Sequence, residues 1–254
     1  MGDVSYELTD TVALITVSSP EVRNGLTPPM AESLIAICDE INANQTVTAA
    51  VIRGADGTFC SGADTREWTV MLDPASEIAY QQTTTVYGAF VRFGNLQVPT
   101  IAAVRGAAVG AGLNLALAAD VRVCADNARL IAGFGRAGIH PGGGFFTLIG
   151  RTGARESAAA LGLFNQEMSG QQAAACGVAW DSVPDGEVEE RALALARGAT
   201  SDPVLGRMTL KSFREELGPP AVSWPAALEM ERGAQMWSQR KRAALAAQAE
   251  EMSS

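Results

Sequence analysis

Apolar and polar positions alternate over Ser5–Leu8 and again over Val12–Val17, on either side of Thr9-Asp10. Period-two alternation about a short polar turn predicts a β-hairpin. A polar loop from Pro20 to Gly25 precedes Pro28-Pro29, which open a helix to about Ile41, since proline fits a first helical turn. Ala49–Arg53 is a short apolar run and reads as a strand. Gly54 to Asp64 is a glycine-rich loop, and helical sequence resumes near Arg66. Helical spacing runs from Pro74 to Phe93, then Val98–Val104 reads as a buried strand with Pro99 near its start. A second glycine-rich turn, Gly106–Gly112, feeds an apolar helix over Leu113–Ala119; Val121–Cys124 and Arg129–Ala132 are two further strands. After Pro141-Gly142-Gly143-Gly144 the chain reads as mostly helical, and from about Asp202 Ala, Leu, Glu, Arg and Met recur at helical spacing, punctuated by Pro219-Pro220 and Pro225. Strands alternating with helices predict an α/β domain around a largely parallel sheet.

Composition narrows the function classes. The chain has 254 residues, enough for one large domain with a sizeable core and no need of a disulfide or metal staple. Hydrophobic residues at 47% and charged residues at 19% exclude a disordered or fibrous chain. A net charge of −9 argues against nonspecific nucleic-acid binding and against an anionic membrane partner. It leaves room for a small polyanion, which a few arginines or backbone N–H groups can hold. Cys38, Cys60, Cys124 and Cys176 show no C-x-x-C spacing and read as reduced, apolar thiols of a cytoplasmic protein. Met1 to Asp10 lacks a signal pattern, and no apolar run reaches the ~18 residues of a membrane span. Arg240-Lys241-Arg242 reads as a solvated helix face.

Several familiar sites are absent. The glycines Gly106, Gly110 and Gly112 miss the Gly-x-Gly-x-x-Gly dinucleotide spacing, and no Gly-x-x-x-x-Gly-Lys-Ser/Thr occurs. Ser61 is not in a Gly-x-Ser-x-Gly elbow, and His140 is the sole histidine, so a serine triad or zinc site finds no constellation. What remains are two small-residue loops, Phe59–Asp64 and Ala108–Gly112, each entering a helix. Such loops leave backbone N–H groups unpaired, allow close approach of a ligand, and carry the positive end of a helix. Two such N–H groups converging on one point would form an oxyanion hole for an enolate-like thioester oxygen. The alternative is that the glycines only permit tight strand–helix packing.

Four segments in order resemble the crotonase superfamily, which includes enoyl-CoA hydratases and isomerases. They are Pro20–Leu26, Gly54–Asp64, Val104–Asp120 and Phe134–Gly144. The resemblance implies a crotonase-like ββα spiral core over residues 1–200 and a helical C-terminal region over 201–254 that packs on the core and on neighbours in a homotrimer or dimer of trimers. It implies an acyl-CoA substrate, no cofactor beyond the coenzyme A of that substrate, and no metal. Carried over, the backbone N–H groups of Ala63 and Ala111 would form the oxyanion hole. Arg23, Gly25 and Leu26 would lie along coenzyme A, with Arg23 offering charge to a phosphate. Ser61, Gly62, Asp64 and Gly110, in the two loops, would also contact the substrate. Asp64 and Asp120 read as loop-fixing groups that bond nearby backbone. Trp68, Tyr87, Phe90 and Phe134 would wall the acyl pocket.

Three family acid/base positions are empty here. The two hydratase glutamates correspond to Asn114 and Phe134, and a third carboxylate position to Gly142. Asn114 can orient a water or a carbonyl but cannot accept a proton at neutral pH. General acid–base help is worth ~10²–10⁴-fold, so an ordinary hydratase lacking both groups would be poor. His140, Glu67, Asp73 and Glu77 are the nearest replacements in sequence. The expectation is therefore an acyl-CoA enzyme that hydrates or isomerises enoyl thioesters with an unassigned acid/base. The alternatives are a non-catalytic acyl-CoA binding or carrier protein, and hydrolase or decarboxylase chemistry on the same thioester scaffold.

Overall fold

The computed structural model describes residues 2–64, 66, 76–152, 154–216 and 224–253. The hairpin forms as β1 (Asp3–Thr9) and β2 (Val12–Ser18), paired antiparallel with Thr9 opposite Val12. Asp10 makes the turn in the left-handed region at φ 56°. β1 is the edge strand and shows mixed exposure, whereas β2 is almost wholly buried. Helix α1 (Pro28–Ala43) starts as its prolines require, with the Thr27 hydroxyl accepting from Met30 N. β3 (Ala49–Gly54) lies parallel to β2. Helix α2 (Glu77–Gly94) is capped by Ser76 and packs against α1, with Gly88 facing Ile35 and Arg92 paired with Asp39.

The next two turns of chain repeat one pattern. β4 (Thr100–Val104) begins just after Pro99, because proline cannot donate to the ladder. The chain then leaves this sheet at Gly106, whose φ of 56° and 2.4 Å Cβ approach to Gly57 O only glycine tolerates. It forms β5 (Ala107–Val109) in a second sheet and enters α3 (Ala111–Ala118). β6 (Val121–Ala125) and β7 (Arg129–Ile131) repeat the step, followed by α4 (Phe145–Gly150). After α5 (Arg155–Gly162) the chain is less helical than its sequence reads. β8 (Glu167–Ser169) and β9 (Asp181–Val183) flank α6 (Gly170–Ala175) and complete the two sheets. The large sheet has the order β1-β2-β3-β4-β6-β9, parallel except for β1, and the small one β5-β7-β8. Isolated parallel pairings Leu26–Ala63 and Cys60–Ala108 continue the small layer across the two preceding turns. The fold is thus the expected ββα spiral.

Helix α7 (Val188–Arg197) covers the large sheet, then α8 (Pro203–Glu216) and the 30-residue α9 (Trp224–Ser253) follow. Pro225 is in the first turn of α9, where proline is tolerated. Asp120 fixes a loop as expected: Oδ2 accepts from Thr100 N at 2.9 Å, and Arg214 of α8 adds an ion pair at 2.8 Å. Burial pushes the thiols of Cys38, Cys60 and Cys124 up to about 12, so they are inert apolar groups. Cys176, in contrast to the sequence reading, is exposed. Among the described residues no helix is long and apolar enough to cross a membrane, and no cluster of ligands could hold a metal.

Candidate active site

The first loop is clasped to the early polar loop by its own backbone. Ser61 N donates to Arg23 O at 3.0 Å, Leu26 N to Gly62 O at 2.8 Å, and Asp64 N to Leu26 O at 2.9 Å. The Ser61 hydroxyl adds a bond to Val22 O at 2.6 Å. Asn24, left-handed at φ 60°, holds the turn by donating to Ala55 O and Thr58 O and accepting from Ser19 N. Gly25 and Leu26 are buried, so they contribute main chain; Arg23 is exposed. Asp64 is buried and accepts from Arg66 N and from its guanidinium, which holds the carboxyl below the usual carboxylate range. Trp68, with Glu67 and Asp73, lies outside the described residues.

The second loop locks onto the first. Cys60 N donates to Ala107 O and Val109 N to Cys60 O, both at 3.0 Å. Gly110 has φ 51° and donates to Ile131 O at 2.9 Å. Gly112 lies so close to Cys60 that a Cβ there would be 2.2 Å from the Cys60 carbonyl oxygen. Two amides are left over. Neither Ala63 N nor Ala111 N has a hydrogen-bond acceptor among the described residues, and Ala111 is the first residue of α3. Both alanines border one cavity of about 160 Å³. The site of a Cβ on Gly62 would be 3.9 Å from Ala111 N. The sequence motifs are therefore brought together.

The cavity wall is apolar. Val86, Tyr87 and Phe90 of α2 line one part, and Phe134 another. Ser61, Gly62, Gly110 and Asn114 also border it. Asn114 is 1% exposed; its Nδ2 donates to Gly142 O at 2.8 Å, and its Oδ1 has no partner among the described residues. His140 is not on the wall; its Nδ1 lies 2.7 Å from Pro141 O. Glu77 is exposed at the start of α2. Among the described residues Tyr87 is the one titratable group lining the cavity, and burial, with the Glu231 charge second, raises its phenol.

Helix α9 supplies groups that the motifs do not reveal. Gln235 and Gln239 line the cavity, and Gln235 Oε1 accepts from the Tyr87 hydroxyl. Glu231, 8% exposed, accepts from Gly144 N at 2.8 Å at the start of α4. The available signal is that Glu231, Gln235 and Gln239 recur every four residues on the helix face that also buries Leu228. Burial holds the Glu231 carboxyl above the ordinary glutamate range, against bonds from Gly144, Phe145 and Phe146 that lower it. The folded protein then binds more protons than the unfolded one between the ordinary and raised values. Stability falls as pH rises through that window and levels off above it. Glu231→Gln keeps an acceptor for Gly144 N and should flatten that fall when Tm is followed against pH; an unchanged slope would deny Glu231 this role.

Comparison with known proteins fits this geometry. The enoyl-CoA hydratase/isomerase family profile matches residues 7–243. A Mycobacterium tuberculosis protein named "probable enoyl-CoA hydratase EchA14" is 40% identical over 193 residues, 76% of this chain and 73% of its own. The Escherichia coli 1,2-epoxyphenylacetyl-CoA isomerase is 30% identical over 202 residues, 79% of this chain and 77% of its own. The crystal structure of a Bacillus anthracis enoyl-CoA hydratase superposes with a TM-score of 0.79 at 26% identity, covering 91% of this chain and 89% of that one. Matched over nearly its whole length, the chain belongs to the enoyl-CoA hydratase/isomerase family and has the crotonase fold.

Proposed function

We propose that the cavity takes the acyl group of an acyl-CoA, and that Ala63 N–H and Ala111 N–H together bind its thioester oxygen. The observation that carries this is the pair of acceptor-free amides, on two loops locked to each other, bordering one apolar cavity. As the thioester gains enolate character, charge grows on its oxygen, and preorganised donors there lower the barrier. The loop Arg23–Leu26 lies against the first amide's loop and would carry coenzyme A, with exposed Arg23 near a phosphate. Asn114, fixed by Gly142 O, would orient a water or the substrate. The reaction is hydration or double-bond isomerisation of an enoyl-CoA, as the family's description and the name of the Mycobacterium tuberculosis relative support. No cofactor beyond coenzyme A enters this chemistry. Exposed Val204, Leu205, Met208 and Trp237 on α8 and α9 support assembly with further copies, in a trimer or dimer of trimers. The free buried thiols support a cytoplasmic setting.

One observation favours a second reading, a carrier that binds acyl-CoA without turnover. Among the described residues no carboxylate, histidine or lysine lines the cavity. Incubation with crotonyl-CoA and longer enoyl-CoAs in deuterated water separates the two. Hydrated or isomerised product, or deuterium at the α-carbon, is expected. Its loss in Glu67→Gln, Asp73→Asn or His140→Ala would assign the proton carrier. Saturable binding with neither product nor exchange would replace the enzyme by the carrier, and absence of binding would overturn both.

A further inference from the structure

Two side-chain amides on the cavity wall hold oxygens without a hydrogen-bond partner among the described residues. Asn114 Oδ1 and Gln239 Oε1 are both occluded, in residues 1% and 4% exposed, and neither accepts a hydrogen bond among the described residues. Buried amide oxygens are rarely left unpaired, because their desolvation is then uncompensated. Asn114 at least uses its other end on Gly142 O. Gln239 uses neither end among the described residues. Its neighbour one turn earlier shows the contrast: Gln235 accepts from Tyr87 and donates to His140 O. The same helix face thus satisfies one glutamine inside the protein and leaves the next for something else.

The position of Gln239 follows from its flanking contacts. Gln235 lies at the Gly142 end of segment 137–142, the end that Asn114 grips. Arg242, further along α9, donates to Ala137 O at 2.8 Å. Gln239 lies between them, about 6 Å along the helix from Gln235 and away from Asn114. Asn114 belongs to the first turn and a half of α3, beside Ala111. Gln239 borders the same cavity as Ala63 and Ala111, so an acyl group whose carbonyl meets those two alanines has the Gln239 amide on the wall around it. A cavity of about 160 Å³ is close to one that holds benzene, so it suits an acyl chain of roughly four to six carbons.

We infer that this site selects a short acyl group bearing a hydroxyl at its distal end, received by the Gln239 side-chain amide. The inference rests on the acyl-CoA reading above and names its substrate class. One hydroxyl can donate to Oε1 and accept from Nε2, satisfying the amide from both sides. A plain alkyl end would leave it unpaired, which is how a polar site rejects an apolar analogue.

Titration calorimetry with two matched pairs tests this. The pairs are 4-hydroxybutanoyl-CoA against pentanoyl-CoA and 5-hydroxypentanoyl-CoA against hexanoyl-CoA, each exchanging a hydroxyl for a methyl. In at least one pair the hydroxylated member should bind roughly 10-fold more tightly. Gln239→Leu should abolish or reverse that preference while still binding hexanoyl-CoA. Equal or tighter binding of the alkyl member in both pairs would overturn the inference and leave the acyl-CoA reading standing. A preference that survives in Gln239→Leu would likewise overturn it. Failure of all four thioesters to bind would overturn the acyl-CoA reading itself, and this inference with it.

Discussion

Gly112→Ala is expected to lower Tm by roughly 6–12 °C, from an overpacking cost of about 3 kcal/mol, and to remove turnover in what still folds. The added methyl would meet the Cys60 carbonyl oxygen at 2.2 Å and Cys60 Cβ at 2.7 Å. A backbone carbonyl cannot swing aside as a flexible side chain can, so α3 or the Cys60 segment must move. Those are the two elements that carry Ala111 and, three residues beyond Cys60, Ala63. Gly88→Ala is the control. Its methyl would find Ile35 Cδ1 at 3.5 Å, an ordinary contact, within helix α2. There alanine should stabilise by about 0.5–1 kcal/mol. Thermal melts of both variants, with activity read at a temperature where both are folded, check the contrast. A Gly112→Ala protein that melts like the parent and turns over normally would show that the loops need not touch.

Ala111→Pro is expected to cost about 10²–10³ in kcat with little change in Tm. Proline replaces the amide hydrogen by a ring carbon, so it removes the donor and puts a methylene where the thioester oxygen would bind, while disturbing the fold little at this place. Ala111 is the first residue of α3, where proline is favoured, and its N–H has no acceptor to lose among the described residues. The preceding residue, Gly110, has no Cβ to clash with the new ring and already sits at φ 51°, ψ −111°. Single-turnover rates and thermal melts measured together test this. Normal rates in a normally folded variant would remove Ala111 from the chemistry.

Much of the architecture is written locally. β3 and β4 are short apolar runs because both faces of that sheet are covered, whereas β2 is buried continuously from Val12 to Ile15 in place of the alternation read there, and Thr27-Pro28-Pro29 marks the start of α1 through chemistry within one turn. β5, β8 and β9 are not legible, since each has three residues and exists through partners far along the chain. The candidate site divides the same way. Its loops announce themselves by glycine and small residues, and the family resemblance sets Asn114 and Phe134 where carboxylates would be expected. The wall formed by α9 is not. Tyr87 meets Gln235 across 148 residues, and nothing in Gln235 or Gln239 alone separates a cavity-facing amide from a solvated one.

The most direct test of the central claim is a crystal structure with a non-reactive acyl-CoA bound. The account predicts the thioester oxygen within about 2.7–3.1 Å of both Ala63 N and Ala111 N, with the acyl chain in the cavity bordered by Phe90 and Phe134. A thioester oxygen bound by neither amide, or an acyl chain lying outside that cavity, would contradict it.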